Sequence, residues 1–192
     1  MNNNLAINVC ILPSKEVKRF CEQIYNQDSS DYSSENLEYI PHITLYQKSI
    51  QENDLKKIIQ DIEKLNLNKF HVELWKFTSS TLFCVEIKRN ELVTELQKEI
   101  IEILLKYPTL ELTEESFLTE KYFFEGNKNW VSTYWEYVNF NKDLHITLWK
   151  EDQSEKLKNL NIPKSFTFDT LCIGMMGNYC SVRKVIKKIN IT

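Results

Sequence analysis

Apolar residues fall along this chain in short blocks of two kinds, continuous runs and helical stripes. Residues 5–13, LAINVCILP, are a run closed by proline and predict a buried strand. Ser14 stands as an N-cap, and Val17, Phe20, Cys21 and Ile24 follow at helical spacing. The polar NQDSSDYSSEN predicts a loop, and residues 39–47, YIPHITLYQ, a second strand with Pro41 tolerated near its start. Asn53 or Asp54 caps a helix with Leu55, Ile58, Ile59, Ile62 and Leu65 on one face. KFHVELWKF and TLFCVEIK predict strands joined by Thr78-Ser79-Ser80. Residues 90–107 give the clearest helix, lined by Leu92, Leu96, Ile100, Ile103 and Leu104.

Residues 108–143 form an aromatic-rich insert with Phe117, Tyr122, Phe123, Phe124, Trp130, Tyr134, Trp135, Tyr137 and Phe140. KYFFEGNKNWVSTYWEYVNF predicts a hairpin turning at Glu125 to Asn129 through Gly126, a lid able to stack on a base. A strand over 144–150, a short helix or loop near 152–160, a strand KSFTFDTLCIGMM and a turn at Gly177-Asn178 follow. In SVRKVIKKINI, Val182, Val185, Ile186 and Ile189 fit a helical stripe, but the segment follows a turn after a strand and is assigned as a strand. Few helices separate the later strands, so the class is α+β with antiparallel pairing.

The 192 residues, 42% hydrophobic and 27% charged, suit one globular domain, residues 1–192, with a sizeable core. The net charge of -3 argues against duplex DNA as a partner. No apolar run reaches membrane-spanning length, and MNNNLAINVCILP lacks a signal peptide's basic start, so a cytoplasmic monomer off the membrane is expected. The five cysteines are odd in number and form no CxxC, which fits small buried hydrophobes better than a disulfide framework or zinc site.

The chain holds three histidines, and two share a frame: residues 41–47 read PHITLYQ and residues 144–150 read LHITLWK. The spacing, 145 minus 42, is 103 residues and suggests one motif in each half of a two-lobed domain. Side chains at i and i+2 of a strand share a face. His42 and Thr44 therefore form one polar pair, His145 and Thr147 another, while Ile and Leu anchor each strand in the core. With the strands side by side, one imidazole suits a general base on the attacking oxygen and the other an acid on the leaving oxygen. The hydroxyls suit donation to a phosphate's non-bridging oxygens. Which histidine takes which role stays open, and the scheme needs no metal or other cofactor.

This pattern resembles the two-histidine (2H) phosphoesterase superfamily, which includes the bacterial 2′-5′ RNA ligase-like proteins and cyclic nucleotide phosphodiesterases and is marked by one H-x-[ST]-x motif per lobe. The resemblance implies a bilobal fold, two antiparallel sheets flanking a central cleft with helices outside. It implies a metal-independent phosphodiesterase whose catalytic positions are His42, Thr44, His145 and Thr147. Lys150 stands five positions after His145, where a form of the second motif carries a basic residue; Leu144 stands where many members have proline. The implied substrate is a nucleotide or short RNA with a 2′,3′-cyclic phosphate or 2′-5′ linkage. A cyclic di- or oligonucleotide is the enzymatic alternative.

Lys48, Lys150 and Arg183 are candidates for neutralising phosphate. Tyr46 and Trp149, four residues after their histidines, are expected on the same face as stacking rings. His71 lacks a threonine partner and is read as structural. A non-catalytic nucleotide- or RNA-end-binding module is the second class of function. A metal protein using His42, His71 and His145 is the third, disfavoured because threonine is a poor ligand.

Overall fold

The computed structural model describes residues 4–25, 40–79, 82–118, 124–139, 144–149 and 154–191. The apolar runs form strands β1 (Asn4–Ile11), β2 (Ile43–Gln51), β3 (Phe70–Ser79), β4 (Phe83–Lys88), β5 (His145–Trp149), β6 (Ser165–Phe168), β7 (Thr170–Met176) and β8 (Val182–Asn190). The helical stripes form α1 (Lys15–Tyr25), α2 (Leu55–Glu63), α3 (Glu91–Leu105), α4 (Phe124–Asn139) and the short α5 (Ser154–Leu157). Ser14 and Asn90 cap α1 and α3 by accepting from the Val17 and Val93 amides, satisfying donors that a helix start leaves orphaned. Asp54 instead sits in helical conformation before α2 and makes no side-chain cap.

All eight strands pair antiparallel in the order β6-β3-β4-β5-β2-β1-β7-β8. The α+β class is as the sequence suggests, but the two expected sheets are halves of one continuous sheet. They join where β5 lies beside β2, with Ile43 opposite Ile146. β6 ends one edge of the sheet and β7 lies next to the other edge, yet only Asp169 separates them in the chain. Two residue steps reach about 7 Å at most, so the sheet must curl until its ends approach. The run KSFTFDTLCIGMM is therefore two strands in different halves, not one.

One core lies on one sheet face. Ile7, Val9, Ile11, Ile43, Leu45, Val72, Val85, Ile87, Ile146 and Leu148 pack there against Val17, Phe20 and Ile24 of α1, Ile58 and Ile62 of α2, and Ile100 and Leu104 of α3. A smaller cluster on the opposite face joins Ala6, Leu112, Phe117, Met176 and Cys180 to Val131 of α4. All five cysteines are buried and free.

The expected hairpin is a helix. In α4 the inward positions Asn127, Val131 and Tyr134 recur at helical spacing, and Gly126 lies in its first turn with open space around it. High β-propensity of the aromatics masked this stripe. The lid expected from that hairpin is replaced, among the described residues, by a helix packed on the sheet. The last segment is a strand, and its false helical stripe has a cause. Pairing of Ile173 with Lys187 but Gly174 with Val185, then Met175 with Lys184 but Met176 with Val182, leaves Ile186 and Arg183 as extra residues. Each β-bulge flips the alternation, so Val182 and Val185 face the Cys10–Cys172 cluster while Ile186 and Ile189 face the main core.

Ile146 is fully buried where the halves join. Ile146→Ala is expected to cost about 2–5 kcal/mol of stability, read as a lower urea midpoint at unchanged m-value.

Candidate active site

The pairing of Ile43 with Ile146 sets the geometry. Continuing that antiparallel register by one residue each way puts His42 opposite Thr147 and Thr44 opposite His145. Because both isoleucines point into the core, the four polar residues point the other way. The two histidines take opposite corners of a rectangle and the two threonines the remaining corners. Directly opposed residues lie about 4.5–5.5 Å apart and diagonal ones about 7–8 Å, room for one tetrahedral anion between the imidazoles.

The two imidazoles have unlike surroundings. His42 is 7% exposed, whereas His145 is exposed. His42 Nδ1 lies 2.7 Å from the Ile40 carbonyl, which only accepts, so Nδ1 carries the proton. The lone pair therefore sits on Nε2, where Asn8 Nδ2 approaches to 3.3 Å. The same amide nitrogen donates to Thr44 Oγ1 at 2.9 Å. Thr44 thus spends an acceptor site on Asn8 and keeps its own proton for a ligand. Burial pushes the His42 pKa down to about 4, opposed by the Ile40 hydrogen bond and reinforced by nearby His145. His42 is held neutral with a defined tautomer, the form a general base requires.

On the other side, β4 aligns Cys84 with Thr147 and Glu86 with His145. Cys84 Sγ donates weakly to Thr147 Oγ1 at 3.9 Å. Glu86 and His145, directly opposed, share the site's face of the sheet. One site thus presents a neutral ring on the β2 side and a ring beside an acid on the β5 side.

The sequence-predicted binding residues fare differently. In β1–β2 pairing Cys10 faces Thr44 but Val9 faces Tyr46, so Leu45 is an extra residue and the alternation flips. Tyr46 consequently lies buried with Val9 in the main core, edge-on to Tyr134 at 5.8 Å, not beside His42. Lys48 pairs with core-facing Ile7, is 4% exposed, and is pushed below the usual lysine range by burial. Gln47 takes the face expected for Tyr46 and donates to the Cys180 carbonyl at 3.4 Å. Arg183 is buried on β8, three strands from β2, and its Nε donates to Ser181 Oγ at 2.9 Å. β5 carries Trp149, whose side chain lies outside the described residues, as does Lys150. His71 is exposed on β3.

Sequence reasoning missed Asn8 and Glu86. Asn8 had a signal: it interrupts LAI-N-VCIL, and an amide buried in such a run costs free energy unless it finds partners.

The chain aligns over nearly its full length with solved structures. One neighbour, a phosphoesterase, matches at TM-score 0.59 over 99% of both chains with 10% identity. E. coli LigT matches at TM-score 0.56 over 98% of both chains, also with 10% identity. TT0787 of Thermus thermophilus matches at 0.58, over 97% of this chain and 98% of its own, with 12% identity. The chain has the 2H phosphoesterase fold. No family model matches the sequence, and no curated protein is significantly similar to it. The 2H phosphoesterase fold is thus kept here with little of those proteins' sequence.

The low pKa of His42 has a stability consequence. Its folded pKa of about 4 lies below the ordinary 6.5, so the unfolded chain binds the proton more readily. The stabilisation is complete above about pH 6.5 and is lost as pH falls toward 4, by up to about 3 kcal/mol. Urea unfolding across that window should show the loss, and His42→Gln should remove this residue's share of it.

Proposed function

We propose that this protein is a metal-independent 2H phosphodiesterase acting on ribose-linked phosphodiesters, either 2′,3′-cyclic phosphates or 2′-5′ linkages. The observation that carries the reading is the antiparallel crossing of the two HITL segments through Ile43 and Ile146, which puts both imidazoles and both threonines on one sheet face. E. coli LigT, of the same fold, has been crystallised with 3′-AMP, with phosphate, with ATP and with NADP+. A nucleotide or short RNA substrate accords with those ligands and with the mildly acidic chain, and we expect a cytoplasmic monomer.

In this mechanism His42 Nε2 takes a proton from water as its oxygen attacks phosphorus. His145, as imidazolium, gives its proton to the departing ribose oxygen. A phosphomonoester and a free hydroxyl result, and proton exchange with solvent restores both rings. Thr44 and Thr147 donate to the non-bridging oxygens as negative charge grows on them. The division of labour follows from the surroundings. A ring that burial holds neutral suits a base, and an exposed ring in reach of solvent suits an acid.

His42→Ala and His145→Ala should each cut turnover of 2′,3′-cyclic nucleotides about 10²–10⁴-fold, with circular dichroism unchanged. Thr44→Val and Thr147→Val should cost less. Products identified by mass would give the scissile bond. A wild-type protein that binds these nucleotides at micromolar concentration and leaves them intact in single-turnover assays would instead be a binding module.

The pH dependence of kcat/KM should separate the roles. The limb for the required base should lie near pH 4, well below ordinary histidine. Asn8→Ala removes the donor that opposes a proton on Nε2 and should move that limb upward. A merely structural Asn8 would lower activity without moving it.

A further inference from the structure

The sheet face that carries His145 also carries an exposed indole. Along β3, Phe70, Val72 and Leu74 pack toward the main core, so His71, Glu73 and Trp75 point to the opposite face. Leu74 pairs with Ile87 but Phe77 pairs with Val85, so β3 carries one extra residue here. The bulge sets both Trp75 and Lys76 opposite Glu86, with their side chains away from the core. Glu86 in turn pairs with His145. Trp75 and Lys76, Glu86 and His145 therefore form one row running straight across three strands.

Trp75 is 59% exposed, the largest exposure of any tryptophan side chain described. Trp130, by contrast, is partly covered by its edge contact with Tyr134 at 6.0 Å. The Trp75 ring is also held. Lys76 Nζ stands 4.4 Å from its centroid and 3.0 Å from Glu86 Oε2, so a cation tied to the site's own carboxylate braces one face of the indole. The other side remains available for a planar ligand.

We propose that Trp75 is the platform on which the substrate's nucleobase stacks. The proposal rests on the paired-histidine reading for the position of the phosphate. With phosphorus midway between the β2 and β5 histidines, β3 lies about two and a half strand spacings away, about 12 Å, a span that a nucleotide extending toward β3 and an indole extending from it cover together. Glu86 and Lys76 then border the ribose, a polar pair beneath a hydroxyl-bearing ring. Stacking reads the π-face, which every base has, so this site selects nucleosides over base-free phosphodiesters and discriminates weakly among bases.

The test is equilibrium binding by calorimetry of adenosine 3′-monophosphate and of base-free ribose 3-phosphate. Wild type should bind the nucleotide more tightly than the sugar phosphate by about tenfold or more, and Trp75→Ala should abolish that difference while leaving ribose 3-phosphate affinity unchanged. Trp75→Phe, which keeps a π-face, should retain most of the preference. Nucleotide binding by Trp75→Ala as tight as wild type, or a wild type without preference for the nucleotide, would overturn the platform. Turnover does not enter the readout. A protein that prefers nucleotides through Trp75 yet hydrolyses none would sink the phosphodiesterase reading alone.

Discussion

Two isoleucines hold the candidate site together. Ile43 and Ile146 are each fully buried and face each other where the halves of the sheet meet. Strand alternation converts that burial into chemistry: a residue pinned inward forces its two neighbours outward. Because each isoleucine is flanked by histidine and threonine, one apolar contact aims four polar groups at one spot. The antiparallel sense then makes histidine face threonine across the junction, which separates the two imidazoles along a diagonal. A parallel crossing of the same motifs would have set imidazole against imidazole. The free energy of core packing thus fixes the spacing of a polar cluster with few direct contacts of its own.

Identical motifs have acquired unlike surroundings. His42 is anchored by the Ile40 carbonyl and shielded by Asn8, while His145 opens its strand beside Glu86 and solvent. A pair of equally basic rings would compete for one proton; a buried ring and an exposed ring do not. The difference comes from the neighbouring strands, β1 on one side and β4 on the other, rather than from the HITL segments themselves.

Much of the fold, and the shared face of His42, Thr44, His145 and Thr147, could be read in advance, for definable reasons. His-Ile-Thr alternates in both motifs up to the bulges at Leu45 and Leu148, and the cap Ser14 sits where sequence put it. The failures cluster at β-bulges. One extra residue at Leu45 sent Tyr46 to the core side, contrary to the period-two rule that placed it near His42, and carried the phosphate candidate Lys48 with it. Another in β3 turned Trp75 and Lys76 outward together, and two in β8 imitated a helical stripe. A bulge leaves no fixed mark in the sequence, so parity can be trusted only within an unbroken run. The other error, α4, came from weighting aromatic propensity over the spacing of Asn127, Val131 and Tyr134.

The irregularity of β8 serves the molecule beyond its own packing. As the last strand of the sheet it has an open edge beyond Val182, whose carbonyl accepts from the Ile40 amide, and such an edge invites a foreign strand. Its two kinks break the flat ladder that a foreign strand would need, and Lys184, Lys187 and Lys188 place positive charge along the same border. Lys187 is further tethered to Glu63 of α2 at 2.7 Å. The feature that made this segment hard to read also discourages strand-to-strand aggregation.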